Sequence, residues 1–179
     1  MIRRALLTIA FAATTFATPP VLAADAEWQN HFADAMRSLR RRDFVASEDA
    51  CRAAIEGAEA EGVTGQRHES LLLALATVLT RQSKFEDAAS TYERVIRLRS
   101  ERIGDDHPEL AQLLLDAAIA RSAAGEPDTA RTLAERAISI REQHYGAEHA
   151  RVIDALAVAA MIAASRDDVV SVETTLLRV

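Results

Sequence analysis

Cys51 is the only cysteine in the 179 residues, which excludes both an internal disulfide framework and a cysteine-built zinc cluster. It falls on the inward stripe of an expected helix, beside Ala50, Ala54 and Ile55, so its predicted role is that of an inert packed thiol. Excess positive charge is missing too. The net charge is −6 at pH 7, and such a balance repels nucleic-acid phosphates and anionic lipid headgroups rather than neutralising them. There is no glycine-rich phosphate loop, no Gly-x-Ser-x-Gly turn and no His-Glu-x-x-His, which leaves no motif-level argument for catalysis. A membrane-spanning run is also lacking. A bilayer needs about 20 apolar residues, and the uncharged stretch from Ala5 to Ala17 is soon broken by Pro19 and Pro20.

That stretch follows Arg3 and Arg4 and ends in Val21, Leu22 and Ala23. A charged start, an apolar middle and a small-residue end predict a secretory signal peptide over residues 1–23, with cuts after Ala24 or Ala26 fitting nearly as well. The expected mature chain, 24–179, is then periplasmic or secreted, without stable membrane insertion once the leader is gone.

What the chain has in abundance is itself. Gly104-Asp-Asp-His107 is echoed by Gly146-Ala-Glu-His149, and the same offset aligns Leu72, Leu114 and Leu156, then Ala76, Ala118 and Ala160. A fixed period of this size means stacked units that bury their apolar faces only against neighbours. Within each unit apolar residues recur at three and four, the pattern of amphipathic helices. Trp28, Phe32, Ala35, Met36 and Leu39 form the first stripe. Further helices are expected at about 44–60, 69–82 and 85–102, from Pro108, from Pro127, at about 150–165, and from Asp167-Asp168 to Val179. Glycines and first-turn prolines mark their ends. The predicted fold is an all-α, right-handed solenoid of about four antiparallel helix pairs, with units near 26–63, 67–104, 108–146 and 150–179.

The pattern resembles the tetratricopeptide repeat, in particular the longer variant of kinesin light chains. The residues that carry the likeness are Leu72 to Ala76, Phe85-Glu-Asp-Ala88, Tyr92-Glu-Arg-Val95-Ile96 and Gly104-Asp-Asp-His107-Pro108, with a second copy from Leu114 to His149. The resemblance implies a concave groove lined by the first helix of each pair, which would hold a protein or peptide partner and perform no chemistry. Position by position it implies Gln29, Phe32 and Met36 in the first unit, and Ser70, Leu73, Thr77 and Arg81 in the second. It adds Gln112, Leu115, Ile119 and Ser122 in the third, and Asp154, Ala157 and Met161 in the fourth. Leu73, Leu115, Ile119 and Met161 are the expected anchors, because an exposed apolar strip marks an interface. The competing expectation is that the superhelix closes on itself and these residues pack internally.

No cofactor or metal is predicted. His144 and His149 lie near Glu142 and Glu148, and His107 follows Asp105-Asp106, but His107 and His149 occupy equivalent places just before a helix, where an imidazole can satisfy free backbone donors. The pairs Asp105-Asp106 and Asp167-Asp168 stand at helix starts and read as favourable to the helix dipole. Arg40-Arg41-Arg42 reads as a solvated helix end, or as a patch for acidic groups on a partner. A homodimer through the last unit is the alternative function, motivated by Leu176, Leu177 and Val179.

Overall fold

The computed structural model describes residues 27–164 and Glu173. The expected leader, the eighth helix, its partner position Val172 and the dimer residues Leu176, Leu177 and Val179 lie outside the described residues. Among the described residues there are seven helices and no strand: α1 (Glu27–Arg40), α2 (Phe44–Ala60), α3 (Gln66–Arg81), α4 (Phe85–Ile103), α5 (Pro108–Ala123), α6 (Pro127–Tyr145) and α7 (Ala150–Ala164). The third helix starts ahead of its expected onset. Gln66, Arg67 and His68 carry no apolar period, but Gly65, at φ 66°, lets the chain turn directly into them.

Side-chain bonds between helix ends fix the directions. Trp28 Nε1 at the start of α1 donates to Glu61, just past the end of α2, at 3.1 Å. Gln82, past the end of α3, donates to the Phe44 carbonyl at the start of α2 at 2.9 Å. Arg102 near the end of α4 donates to Glu69 near the start of α3 at 2.9 Å. Successive helices are therefore antiparallel, each packed on the next in chain order, as stacked hairpins require.

Alanines let the helices of a pair approach. Ala76 and Ala88 are fully buried, as are Ala118 and Ala130. In the first pair the corresponding residues are Ala35 and Ser47, and the buried Ser47 hydroxyl donates across the interface to the Ala35 carbonyl at 2.9 Å, so the polar group is not left unsatisfied. Leu71, Leu72, Leu79, Val95, Leu110, Leu114 and Leu156 fill the space between pairs at 2% exposure or less. Burying such side chains is worth about 1.5–3 kcal/mol each. Cys51 is buried on α2. Burial, aided by the Glu48 charge, pushes its thiol up to about 11, far from the range of a reactive thiolate.

The turns inside the helix pairs repeat one device. The residue two places before α2, α4 and α6 is left-handed: Arg42 at φ 62°, Ser83 at φ 60° and Gly125 at φ 88°. Glycine takes this conformation freely, whereas a side chain with Cβ strains it. Replacing exposed Ser83 by glycine is expected to raise stability by about 0.5–1 kcal/mol, the relieved strain less the entropy that glycine adds to the unfolded chain. Urea unfolding monitored by circular dichroism checks this; a lowered midpoint would contradict it.

Candidate protein-binding face

The face in question is carried by α1, α3, α5 and α7, the first helix of each pair. The repeat period stacks Ser70, Gln112 and Asp154 at one level, Leu73, Leu115 and Ala157 at the next, and Thr77, Ile119 and Met161 at a third. Gln29, Ser70, Arg81, Gln112, Asp154, Ala157 and Met161 are exposed, Met161 at 53%. Phe32, Met36, Leu73, Thr77, Ile119 and Ser122 are half-buried. Leu115 corrects the sequence reading. It is 2% exposed and belongs to the core, because α5 packs against α7 as well as α4 and α6 and is apolar nearly all round, so it cannot anchor a partner.

The structure draws part of the expected set into two hollows along α1 and α3. Gln29, Phe32 and Ser70 meet Trp28, Arg67 and Leu71 around about 320 Å3. Thr77 and Arg81 meet Leu39, Arg42 and Phe44 around about 260 Å3. Both have apolar walls, with Arg67 bordering the first and Arg42 and Arg81 the second, a surface that can accept an apolar side chain and orient it by a polar neighbour. The Thr77 and Ser70 hydroxyls are engaged by backbone carbonyls one turn earlier, at 2.9 and 2.8 Å, so they offer lone pairs rather than protons.

At α5 and α7 the level of Gln112 and Asp154 is polar and internally tied, whereas Ala157 and Met161 further along α7 are exposed apolar residues. Arg141, buried at 6% exposure, donates to the Arg151 carbonyl at 2.6 Å and to Gln112 Oε1 at 2.9 Å. Gln112 Nε2 in turn donates to Asp116 at 3.0 Å. Burial lowers the Arg141 pKa against the opposing charges of Asp154 and Asp116. Burial raises that of Asp116 despite Gln112 and Arg141. Gln112 is thus a bridge in a fixed chain rather than a free recognition group, and it does not join Phe32 or Arg81 in a single hollow. Sequence reasoning missed Arg141 and Asp116. The signal available was Arg99, which stands one repeat period before Arg141.

The histidine reading holds in its geometry. His107 Nδ1 accepts from the Glu109 backbone N–H at 3.2 Å, and His149 Nδ1 accepts from that of Arg151 at 3.1 Å. Each imidazole caps the helix it precedes, satisfying one orphan donor. At the second junction Tyr145 stacks on His149 with ring centroids 4.8 Å apart, and the Arg151 guanidinium lies 5.1 Å from the Tyr145 ring centroid. Arg40, Arg41 and Arg42 are all exposed at the α1–α2 turn.

Residues 67–143 match the family model described as Tetratricopeptide repeat. No curated protein matches the sequence. Among solved structures, BtubC (BKLC) from P. vanneervenii superposes with a TM-score of 0.73 at 17% identity, over 84% of this chain and 61% of that one. The chain therefore spans less than two thirds of that protein. A kinesin-light-chain-type protein with nearly identical TPR-like repeats, from Podosopora anserina, gives a TM-score of 0.70 at 15% identity, over 86% of this chain and 73% of that one. A variant of the same protein gives 0.71 at 15% identity with the same coverage. Likeness at such identity speaks of fold and not of partner. The repeat match and the solved structures agree with the packing described above: this chain folds as an all-α solenoid of tetratricopeptide-type helix pairs.

Proposed function

We propose that this protein is an exported adaptor that binds a protein or peptide segment along the face of α1, α3, α5 and α7 and carries out no chemistry. Arrays of this fold generally mediate protein–protein interaction. The observation that carries the reading is the pair of hollows along α1 and α3, where residues expected to touch a partner converge on apolar walls. Export rests on the leader-like residues 1–23. The hollows belong to rigid helices, so a partner would not have to order its receptor, and affinity would rest on a few apolar anchors with rim charges.

The test is capture from an envelope extract by the purified chain, beside Ser70→Glu and Arg81→Glu, both at exposed positions. A specific partner should be lost from at least one variant while the circular dichroism spectrum and melting temperature stay unchanged. A partner retained in full by both variants refutes the assignment to this face.

A further inference from the structure

Leu79 and Arg121 occupy the same place in successive units, one repeat period apart, yet they finish their seams differently. Arg121 crosses from α5 to α4 with its side chain only 14% exposed. Its Nε and Nη2 donate to the two oxygens of Glu93 at 2.7 and 2.9 Å, and its Nη1 donates to Glu126 at 2.8 Å. A buried stem and a guanidinium held between two carboxylates make this the bidentate arrangement that suits arginine. One unit earlier Leu79 offers no such arm. Arg52, the counterpart of Glu93, is turned onto Glu48 at 2.9 Å. A cavity of about 430 Å3 stays open between α2 and α4, with Ile55, Leu75 and Leu79 in its lining.

The charges around this cavity are unevenly engaged. Its two guanidiniums have partners, Arg52 in Glu48 and Arg94 in Glu59. The carboxylates of Glu56 and Asp87, one from each wall, are exposed and make no ion pair among the described residues. Lys84 meets Glu48 and Arg94 meets Glu59, so α2 and α4 run side by side with Asp87 at the level of Arg52. Glu56 then lies about one helical turn, roughly 5.4 Å, further along the opposite wall. Two carboxylates without an ion pair among the described residues thus flank a floor of Ile55, Leu75 and Leu79.

We propose that this cavity is a second docking site, separate from the α1–α3 face, which takes an arginine side chain from a partner peptide. The arginine stem lies over Ile55 and Leu75, and its guanidinium sits between Glu56 and Asp87, since the counterparts of Glu93 and Glu126 in this unit, Arg52 and Lys84, are both cations turned onto Glu48. Lysine fits less well, because a compact ammonium cannot present a planar fork to two carboxylates. Ser90, exposed on the α4 wall, is where a large side chain would fill the space.

The probe is a fluorescein-labelled Gly-Leu-Arg-Leu-Gly peptide, titrated with the full chain and followed by anisotropy. It is run beside the same peptide with lysine, or with the neutral isostere citrulline, in place of arginine. Saturable binding is expected for arginine, weaker binding for lysine, and a loss of about tenfold or more for citrulline. Glu56→Gln with Asp87→Asn, and separately Ser90→Trp, should each abolish the difference between arginine and citrulline, whereas Arg81→Glu on the other face should leave it intact. All these positions are exposed, and circular dichroism confirms that each variant folds. Equal binding of the arginine and citrulline peptides, no saturation at millimolar concentration, or full affinity in Ser90→Trp overturns the proposal.

Discussion

Glu69→Ala is expected to be the most damaging single substitution considered for this fold, lowering unfolding free energy by about 3 kcal/mol. Glu69 is a fully buried carboxylate in the first turn of α3. Arg99 donates to it from α4 at 2.8 Å and Arg102 at 2.9 and 3.1 Å. The hydrogen bond from Arg102, joined by that from Arg99, holds its carboxyl below the usual range against the opposing effect of burial. Taking the carboxylate away leaves the Arg99 side chain, 17% exposed, beside a hole with no counter-charge. Arg102, 39% exposed, can turn to water, which keeps the cost at the lower end of the range for broken buried pairs. The repeat supplies the control. The places equivalent to Glu69 are Ala111 and Ile153, so the architecture accepts an apolar residue there; beside Ala111 the counterpart of Arg99, Arg141, is held by the Arg151 carbonyl and Gln112 instead. The triple variant Glu69→Leu, Arg99→Met, Arg102→Met should recover most of the loss. Urea midpoints at constant m-value measure both effects. A Glu69→Ala protein with stability within about 1 kcal/mol of the unaltered chain would show that the triad is not what joins α3 to α4.

Such pairs explain where legibility in the sequence ends. The period, most helix ends and the alanines of the second and third pairs could be read from spacing, because each is a backbone or volume requirement that recurs from unit to unit; the start of α3 at Gln66 could not. The caps at His107 and His149 were readable for the same reason. The charged contacts were not. Glu48, Glu69, Arg121 and Arg141 reach across helices through long side chains, and their partners lie 28 to 36 residues away, apart from Arg52, Glu126 and Arg151 at 4, 5 and 10. No periodicity encodes which rotamer a glutamate takes or which arginine it finds. The Leu115 error has a related origin. The same repeat position is half-buried at Leu73 and exposed at Ala157, because cover at that level is set by how closely the neighbouring first helices lean together. On the face of α1, α3, α5 and α7 the repeat spacing indicated the helix and level of each residue, and only packing decided which of them border a hollow.

Acid should expose the second large electrostatic contribution, at Glu48. This side chain is 7% exposed on α2, and burial alone would raise its pKa. The hydrogen bonds from Lys84 at 2.6 Å, Arg52 at 2.9 Å and Gln82 at 2.7 Å outweigh that effect and hold it at about 2 instead of the ordinary 4.5. A depressed carboxylate binds its proton less readily folded than unfolded, so its contribution to stability is complete above about pH 4.5 and disappears as the pH falls through about 2. At about 1.4 kcal/mol for each tenfold change in proton affinity, this amounts to about 3 kcal/mol, and Glu69 titrates in the same direction. Unfolding free energy should therefore decline between pH 4.5 and 2. In Glu48→Gln that decline should be shallower by up to about 1.4 kcal/mol per pH unit, the weight of one proton. At pH 7 the same variant should be the less stable protein, since Lys84 and Arg52 lose the negative charge between them and one of its two acceptor oxygens, and the difference should narrow steadily with acidification. Parallel curves for the two proteins across this range would mean that Glu48 binds its proton equally well folded and unfolded, so that Lys84, Arg52 and Gln82 hold the carboxylate no better than water does.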